Sequence, residues 1–285
     1  PAPARPAARP PGPARAWLRL LRSELGLTFR RWRNLVLLGV LAVIPVLLGV
    51  ALRLSAPASG GSGPPFLDQV AGNGVFLSFL ALTVTLTLVL PLAVAVVAGD
   101  AVAGEAGHGT LRYLLAVPAG RARLLGVKYV ALLAFGLAAT VVVAAVALAA
   151  GAAAFPVGPV TLLSGATVPL AAGLLRLLLV TLYVAAAMGA LAAIGLAIST
   201  LTEHAIAAIA AILVLVIGSE VADSVPQFAV VHPYLPTHWW LSFDGLLREP
   251  VAGAAVGHGL LSFAAWAVIA GAVAWARFTT ADITS

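Results

Sequence analysis

Cysteine is absent from this sequence, and lysine occurs once, at Lys128. The first absence excludes disulfides, thiolate metal sites and a thiol nucleophile. The second excludes a Walker A phosphate-binding loop, because that motif needs a lysine followed by serine or threonine and Lys128 is followed by Tyr129. Charge is scarce as well: 9% of the 285 residues are charged and 62% are hydrophobic, whereas an ordinary soluble domain carries roughly 25% charged residues. So few charges cannot coat a globule of this size. No HExxH or GxSxG pattern occurs, and no apolar run carries a pair of carboxylates, so the constellations of an intramembrane enzyme are missing.

What is there is apolar length. The runs Leu35–Leu52, Val75–Gly99, Leu177–Thr202 and Val251–Ala276 are uncharged, and a helix crossing about 30 Å of hydrocarbon needs roughly 17 to 25 such residues. The first run also exceeds the roughly 7 to 15 residues of a signal-peptide core, so it reads as a span. Tyr129–Leu175 is uncharged over about twice the required length, and Phe155-Pro156-Val157-Gly158-Pro159 breaks it with turn chemistry. Ala205–Ser219 holds only 15 residues between Glu203 and Glu220, so it must borrow residues such as Val221 and Ala222 or sit in a protein-lined hollow. The expected fold is an all-α membrane protein with spans at 35–54, 75–99, 128–154, 175–200, 204–222 and 251–276. Residues 100–127 form a loop, and 223–250 a broken segment rich in proline and in the interfacial aromatics Tyr234, Trp239 and Trp240.

Ahead of the first span, residues 1–13 are too rich in proline, alanine, arginine and glycine to bury a core, and read as a disordered tail. From 14 to 33, Trp17, Leu18, Leu21, Leu25, Phe29 and Trp32 recur at helical spacing beside Arg15, Arg19, Arg22, Arg30 and Arg33. This predicts an amphipathic helix on a membrane surface, although Gly26 weakens it by roughly 1 kcal/mol. The net charge of +6 is placed next to apolar segments, which points to anionic lipid headgroups as the partner and not to nucleic acid. With the N-terminus inside, thirteen of the sixteen basic residues are cytoplasmic and only Arg53, Arg176 and Arg248 lie outside. The expected protein is therefore multi-pass in the cell membrane, with cytoplasmic termini and a cytoplasmic tail at 279–285.

Polar residues near the spans are few. Thr83, Thr87 and Glu220 are the candidate substrate path, Glu220 being a costly carboxylate at the end of a short span that either lines an exit or pairs with Arg176 or Arg248. Arg176 is expected to snorkel to an interface. His232 and His238 share a loop at a spacing that matches no standard ligand pattern, so no metal site is expected. Glu203 and His204 read as a solvated turn.

The long basic loop is the informative one. Gly107 and Gly109 interrupt any helix leaving the second span, Thr110 is a plausible N-cap, Leu111 to Val117 can form two turns, and Pro118 stops them. The segment Glu105-Ala106-Gly107-His108-Gly109-Thr110-Leu111-Arg112-Tyr113-Leu114-Leu115-Ala116-Val117-Pro118-Ala119-Gly120-Arg121 resembles the first cytoplasmic loop of ABC-type-2 permeases. In that family an acidic residue, a Gly-Thr pair, a leucine-rich turn, a proline and an arginine recur in this order, and a later lysine is similar to Lys128. Gly120 departs from the pattern, standing where serine is usual. The layout of an amphipathic leading helix, six spans and a broken outer segment is similar as well.

The resemblance implies that the loop carries a coupling helix seated in a groove on a cytoplasmic ATPase subunit. Glu105, Gly109, Thr110, Leu111, Arg112, Leu114, Leu115, Pro118 and Arg121 are then the coupling residues. It implies an exporter subunit that pairs with a second permease copy or paralogue. No cofactor binds this chain, ATP and Mg belonging to the partner. The near absence of charge in the spans favours an apolar or amphiphilic substrate. The competing expectation is a non-transporting membrane anchor or sensor that uses the loop to hold a cytoplasmic partner.

Overall fold

The computed structural model describes residues 13–55, 73–107 and 120–280. Helix α1 (Pro13–Arg30) opens with a proline, tolerated there because a helix's first N–H groups have no intrahelical acceptor. It packs chiefly on α6 (Arg121–Ala154), with Phe29 against Phe135 at 6.3 Å between ring centroids. After Arg31 the chain turns into α2 (Trp32–Ser55), and the Asn34 amide donates to the Thr28 carbonyl at 2.7 Å, capping the end of α1.

The second apolar run, expected as one span over 75–99, is two helices. These are α3 (Phe76–Thr87) and α4 (Val89–Asp100), which meet at 51°. The cause is Pro91, which has no N–H to donate and whose ring crowds the carbonyl of Thr87 four residues back. A short α5 (Ala103–Gly107) follows, and α6 begins at Arg121, seven residues before the expected start at 128. The expected loop at 100–127 is therefore shorter than its apolar boundaries suggested. The expected coupling helix lies outside the described residues.

Helix α6 ends where Pro156 forbids continuation. The stretch that composition left unassigned is a small antiparallel hairpin, β1 (Val160–Thr161) paired with β2 (Thr167–Val168), turned at Gly165 with a left-handed φ of 82°. Helix α7 (Leu170–Leu201) then starts five residues before the expected span. It is the axis of the molecule: 72% of its most apolar stretch is buried, against 17% for α2 and 22% each for α8 (Ala205–Ser224) and α9 (Gly253–Thr280). The short fifth run reaches a spanning length by taking in Glu220, Val221 and Ala222. Between α8 and α9 lie 3₁₀ turns at Pro226–Phe228, His232–Tyr234 and Trp240–Leu247. The expected tail at 1–13 gives up Pro13 to α1, and α9 takes in residues 279 and 280. The remainder of both tails lies outside the described residues.

Five helices, α2, α6, α7, α8 and α9, are long and apolar enough to cross a bilayer, and the bent pair α3–α4 passes the same test only when taken together. The protein is embedded in the membrane as a multi-pass helical bundle. One end, the basic end, carries α1, α5 and the start of α6. The far end carries the hairpin and the 3₁₀ turns.

Backbone contacts hold the far end. The Asn73 amide donates to the Gly158 and Pro159 carbonyls at 2.9 and 2.8 Å, and Gly74 N–H donates to the Pro156 carbonyl at 2.9 Å. Gly74 and Gly151 approach so closely that a Cβ on either would strike the other's backbone carbonyl. Gly151→Ala should therefore lower the thermal unfolding temperature of the purified protein by an amount corresponding to about 2 kcal/mol or more. Gly158→Ala, where the space is open, should leave it nearly unchanged.

Candidate functional site

The polar groups of the basic end converge on the two flanks of segment 108–119. On the leading side, α4 must turn into α5 inside an apolar bundle, which frees backbone groups that need partners. Ser199 of α7 supplies them. Its hydroxyl donates to the Gly99 carbonyl at 2.8 Å and accepts from Val102 N–H at 3.1 Å and Ala103 N–H at 2.9 Å. Gly104 makes the corner possible, since a Cβ there would collide with the Asp100 carboxylate. That carboxylate receives Arg31 at 2.5 Å and Arg33 at 2.9 Å, fastening the end of α4 to the corner between α1 and α2.

On the trailing side stands Lys128, on the second turn of α6 and only 3% exposed. A buried ammonium needs partners, because leaving it uncompensated costs several kcal/mol. It donates to Glu105 Oε1 at 2.7 Å and lies 3.6 Å from Glu24 Oε1. One cation thus joins α1, α5 and α6. Burial pushes the Glu105 carboxyl above its ordinary value of 4.5, a rise that the adjacent Lys128 ammonium opposes and that Glu24 reinforces. A small cavity of about 30 Å³ lies among Glu24, Arg31, Asn34, Asp100, Glu105 and Lys128.

Of the residues expected to couple to a partner, Glu105 sits in this cluster and Arg121 opens α6. Gly109, Thr110, Leu111, Arg112, Leu114, Leu115 and Pro118 lie outside the described residues. The expected path residues separate. The Thr83 hydroxyl bonds back to the Phe79 carbonyl and that of Thr87 to the Thr83 carbonyl, so both are satisfied within α3. Thr87 and Glu220 nevertheless line one cavity of about 60 Å³, with Asp223, Thr237 and His238, beside the bend between α3 and α4.

Arg176 and Arg248, considered as partners for Glu220, are engaged elsewhere. Arg176 bonds the Leu246 carbonyl at 2.5 Å, the Arg248 carbonyl at 2.8 Å and the Glu249 carboxylate, while Arg248 faces Asp244 at 3.4 Å. His238 and His232 both face Asp223, at 2.5 and 3.8 Å, and among the described residues no group of three could hold a metal ion. Glu203 and His204 are exposed at the turn between α7 and α8.

Glu24, Asp100 and Ser199 were not singled out from the sequence. The acids that meet Lys128 come from distant segments, so spacing along the chain does not reveal them. Nothing local marks Ser199, since serine is unremarkable within a helix.

These features define a membrane-embedded helical protein with polar clusters at both ends of the bundle, the buried cation standing at the basic end. Residues 39–284 match the DUF2705 family model, described as a protein of unknown function, and the chain belongs to that family. No curated protein matches the chain.

Replacing Lys128 by Met leaves two carboxylates facing each other without their cation, and should destabilise the protein by about 3–5 kcal/mol at neutral pH. Because the folded state raises the Glu105 value, the stability it contributes is complete below 4.5 and is lost as pH rises through the raised value. The Lys128→Met defect should therefore shrink on acidification, and Glu105→Gln should flatten that dependence. Thermal unfolding across pH measures both.

Proposed function

We propose that the chain is the membrane-spanning subunit of an ATP-driven exporter of the ABC-type-2 class. It crosses the cell membrane six times with both termini cytoplasmic, α3 and α4 together forming the second span. It pairs with a second permease, identical or paralogous, and with cytoplasmic ATPase subunits that bind ATP and Mg and carry out all hydrolysis. Segment 108–119 holds the coupling helix, which seats Leu111, Leu114 and Leu115 in a groove on the ATPase while Arg112 and Arg121 face its rim.

The observation that carries this reading is the Lys128–Glu105–Glu24 cluster. A lever between two proteins works only if its ends do not yield, and here both flanks of the segment are tied to each other and to α1 through one buried cation. The Ser199 and Asp100 contacts stiffen the leading flank further. Thr87 and Glu220, lining a cavity beside the bent second span, lie on the path of an apolar or amphiphilic substrate. A segment held at both flanks also suits a non-transporting anchor or sensor for a cytoplasmic partner. Co-purification separates the two, by yielding either an ATPase whose hydrolysis responds to this subunit or a partner of another kind.

Truncating a well-packed anchor residue at an interface typically costs about 2 kcal/mol or more. Leu115→Asp should weaken ATPase association or uncouple hydrolysis from transport, while leaving the bundle inserted. Wild-type co-purification, hydrolysis and transport in that variant would defeat the reading. For orientation, a cysteine at Ser62 should react with an impermeant reagent from outside, and one at Gly120 only after the membrane is opened. The opposite labelling would put the loop on the wrong side for an ATPase.

A further inference from the structure

Helix α1 turns two faces outward from its own axis. One carries Phe29 and packs on α6. The other carries Arg19, Arg22 and Arg30, all exposed. Among the described residues neither Arg22 nor Arg30 makes an ion pair or a side-chain hydrogen bond, in contrast to Arg31 and Arg33, which are held by Asp100. Arg22, Gly26 and Arg30 are spaced by four and so stack on one face. The space beyond Gly26 is open. The two guanidinium groups, separated by about 12 Å of helical rise, therefore flank a notch and do not stand on an even surface. Arg22, Ser23, Gly26, Leu27, Arg30 and Arg31 line this open recess, whose volume is about 440 Å³.

We propose that this notch is a binding site for the phosphate of an anionic membrane lipid. Arginine suits that ligand, because its planar fork matches phosphate oxygens two at a time and is only weakly hydrated. The Ser23 hydroxyl adds a donor, and Gly26 lets the phosphate approach the helix backbone. Position selects a lipid over a soluble anion. Arg30 stands two residues before α2, whose Trp32, Leu35 and Val36 are exposed at the start of the apolar span, so Arg30 lies at the level of the headgroups. Leu27 lines the recess and is itself exposed, offering an apolar wall beside the phosphate. The site is independent of any role in transport, since it uses neither the 108–119 segment nor the cavity near Glu220.

The test is retention of phosphatidylglycerol against phosphatidylcholine by the full chain, purified from mixed vesicles and read by native mass spectrometry. The wild type should retain phosphatidylglycerol preferentially. Arg22→Gln/Arg30→Gln should lower the ratio at least about fivefold, since losing even one charge-assisted hydrogen bond to phosphate accounts for roughly that factor or more. Gly26→Leu keeps every arginine and replaces glycine by a better helix former; it should lower the ratio comparably, with thermal unfolding showing the fold retained. Arg19→Gln, outside the recess, should keep the wild-type ratio. Three results would overturn the proposal. One is an unchanged ratio in Gly26→Leu with an equal fall in Arg19→Gln, the signature of diffuse attraction. Another is displacement of phosphatidylglycerol by millimolar glycerol phosphate, which would make the site one for a soluble phosphate. The third is Gly26→Leu abolishing capture of a polyglutamate peptide while sparing lipid retention, which would assign the face to an acidic protein.

Discussion

Burying one ammonium group in an apolar bundle sets conditions that the whole basic end has to meet. Lys128 is held near the start of α6 with its side chain almost wholly buried. Its carboxylate partners must come to it. Glu105 does so because Ser199 and Gly104 let the chain turn sharply after α4, and Glu24 does so because α1 lies against α6. The corner between α1 and α2 is in turn held by Asn34 and by the two arginines on Asp100.

Much of the architecture could be read in the residues because a bilayer imposes a length. Leu35–Leu52 and Val251–Ala276 need no partner to be recognised as spans, and the Phe155–Pro159 turn ends α6 as its two prolines require. The hairpin after it was hidden by composition: Val160, Leu162 and Val168 are as apolar as a span, and only the pairing of backbone groups distinguishes a strand from a helix there. The second run reads as one span although it contains Pro91, because membrane helices often carry proline without a sharp bend. At the basic end, Lys128 reads as a loop cation, and its burial against Glu105 and Glu24 depends on packing between segments far apart in sequence. Ser199 serves three backbone groups through a position that no local pattern distinguishes.

The far end solves a different problem. Helix α8 has few residues to spare beyond a bilayer's thickness, and the chain returning to α9 must satisfy its backbone close to the apolar zone. Short 3₁₀ turns meet most of that need locally, and side chains supply the rest. Tyr183 of α7 donates to the Trp239 carbonyl at 2.6 Å, and Trp239 and Trp266 donate to the Pro233 and Tyr234 carbonyls. Arg176 acts in the same way on the last turn, using its charge to collect two carbonyls and a carboxylate.

The bend at Leu88 divides more than a helix. On one side of it, α3 packs chiefly on α6, and the Gly74–Gly151 contact joins their far ends. On the other, α4 packs on α7 and α8, with Gly99 against Ile209 and Ser199 bonded across the corner. The two helices of the bent pair thus pack against different neighbours. Leu88 is therefore the residue at which the chain hands its packing from α6 over to the α7–α8 pair, two groups that are themselves joined by the α6–α7 contact.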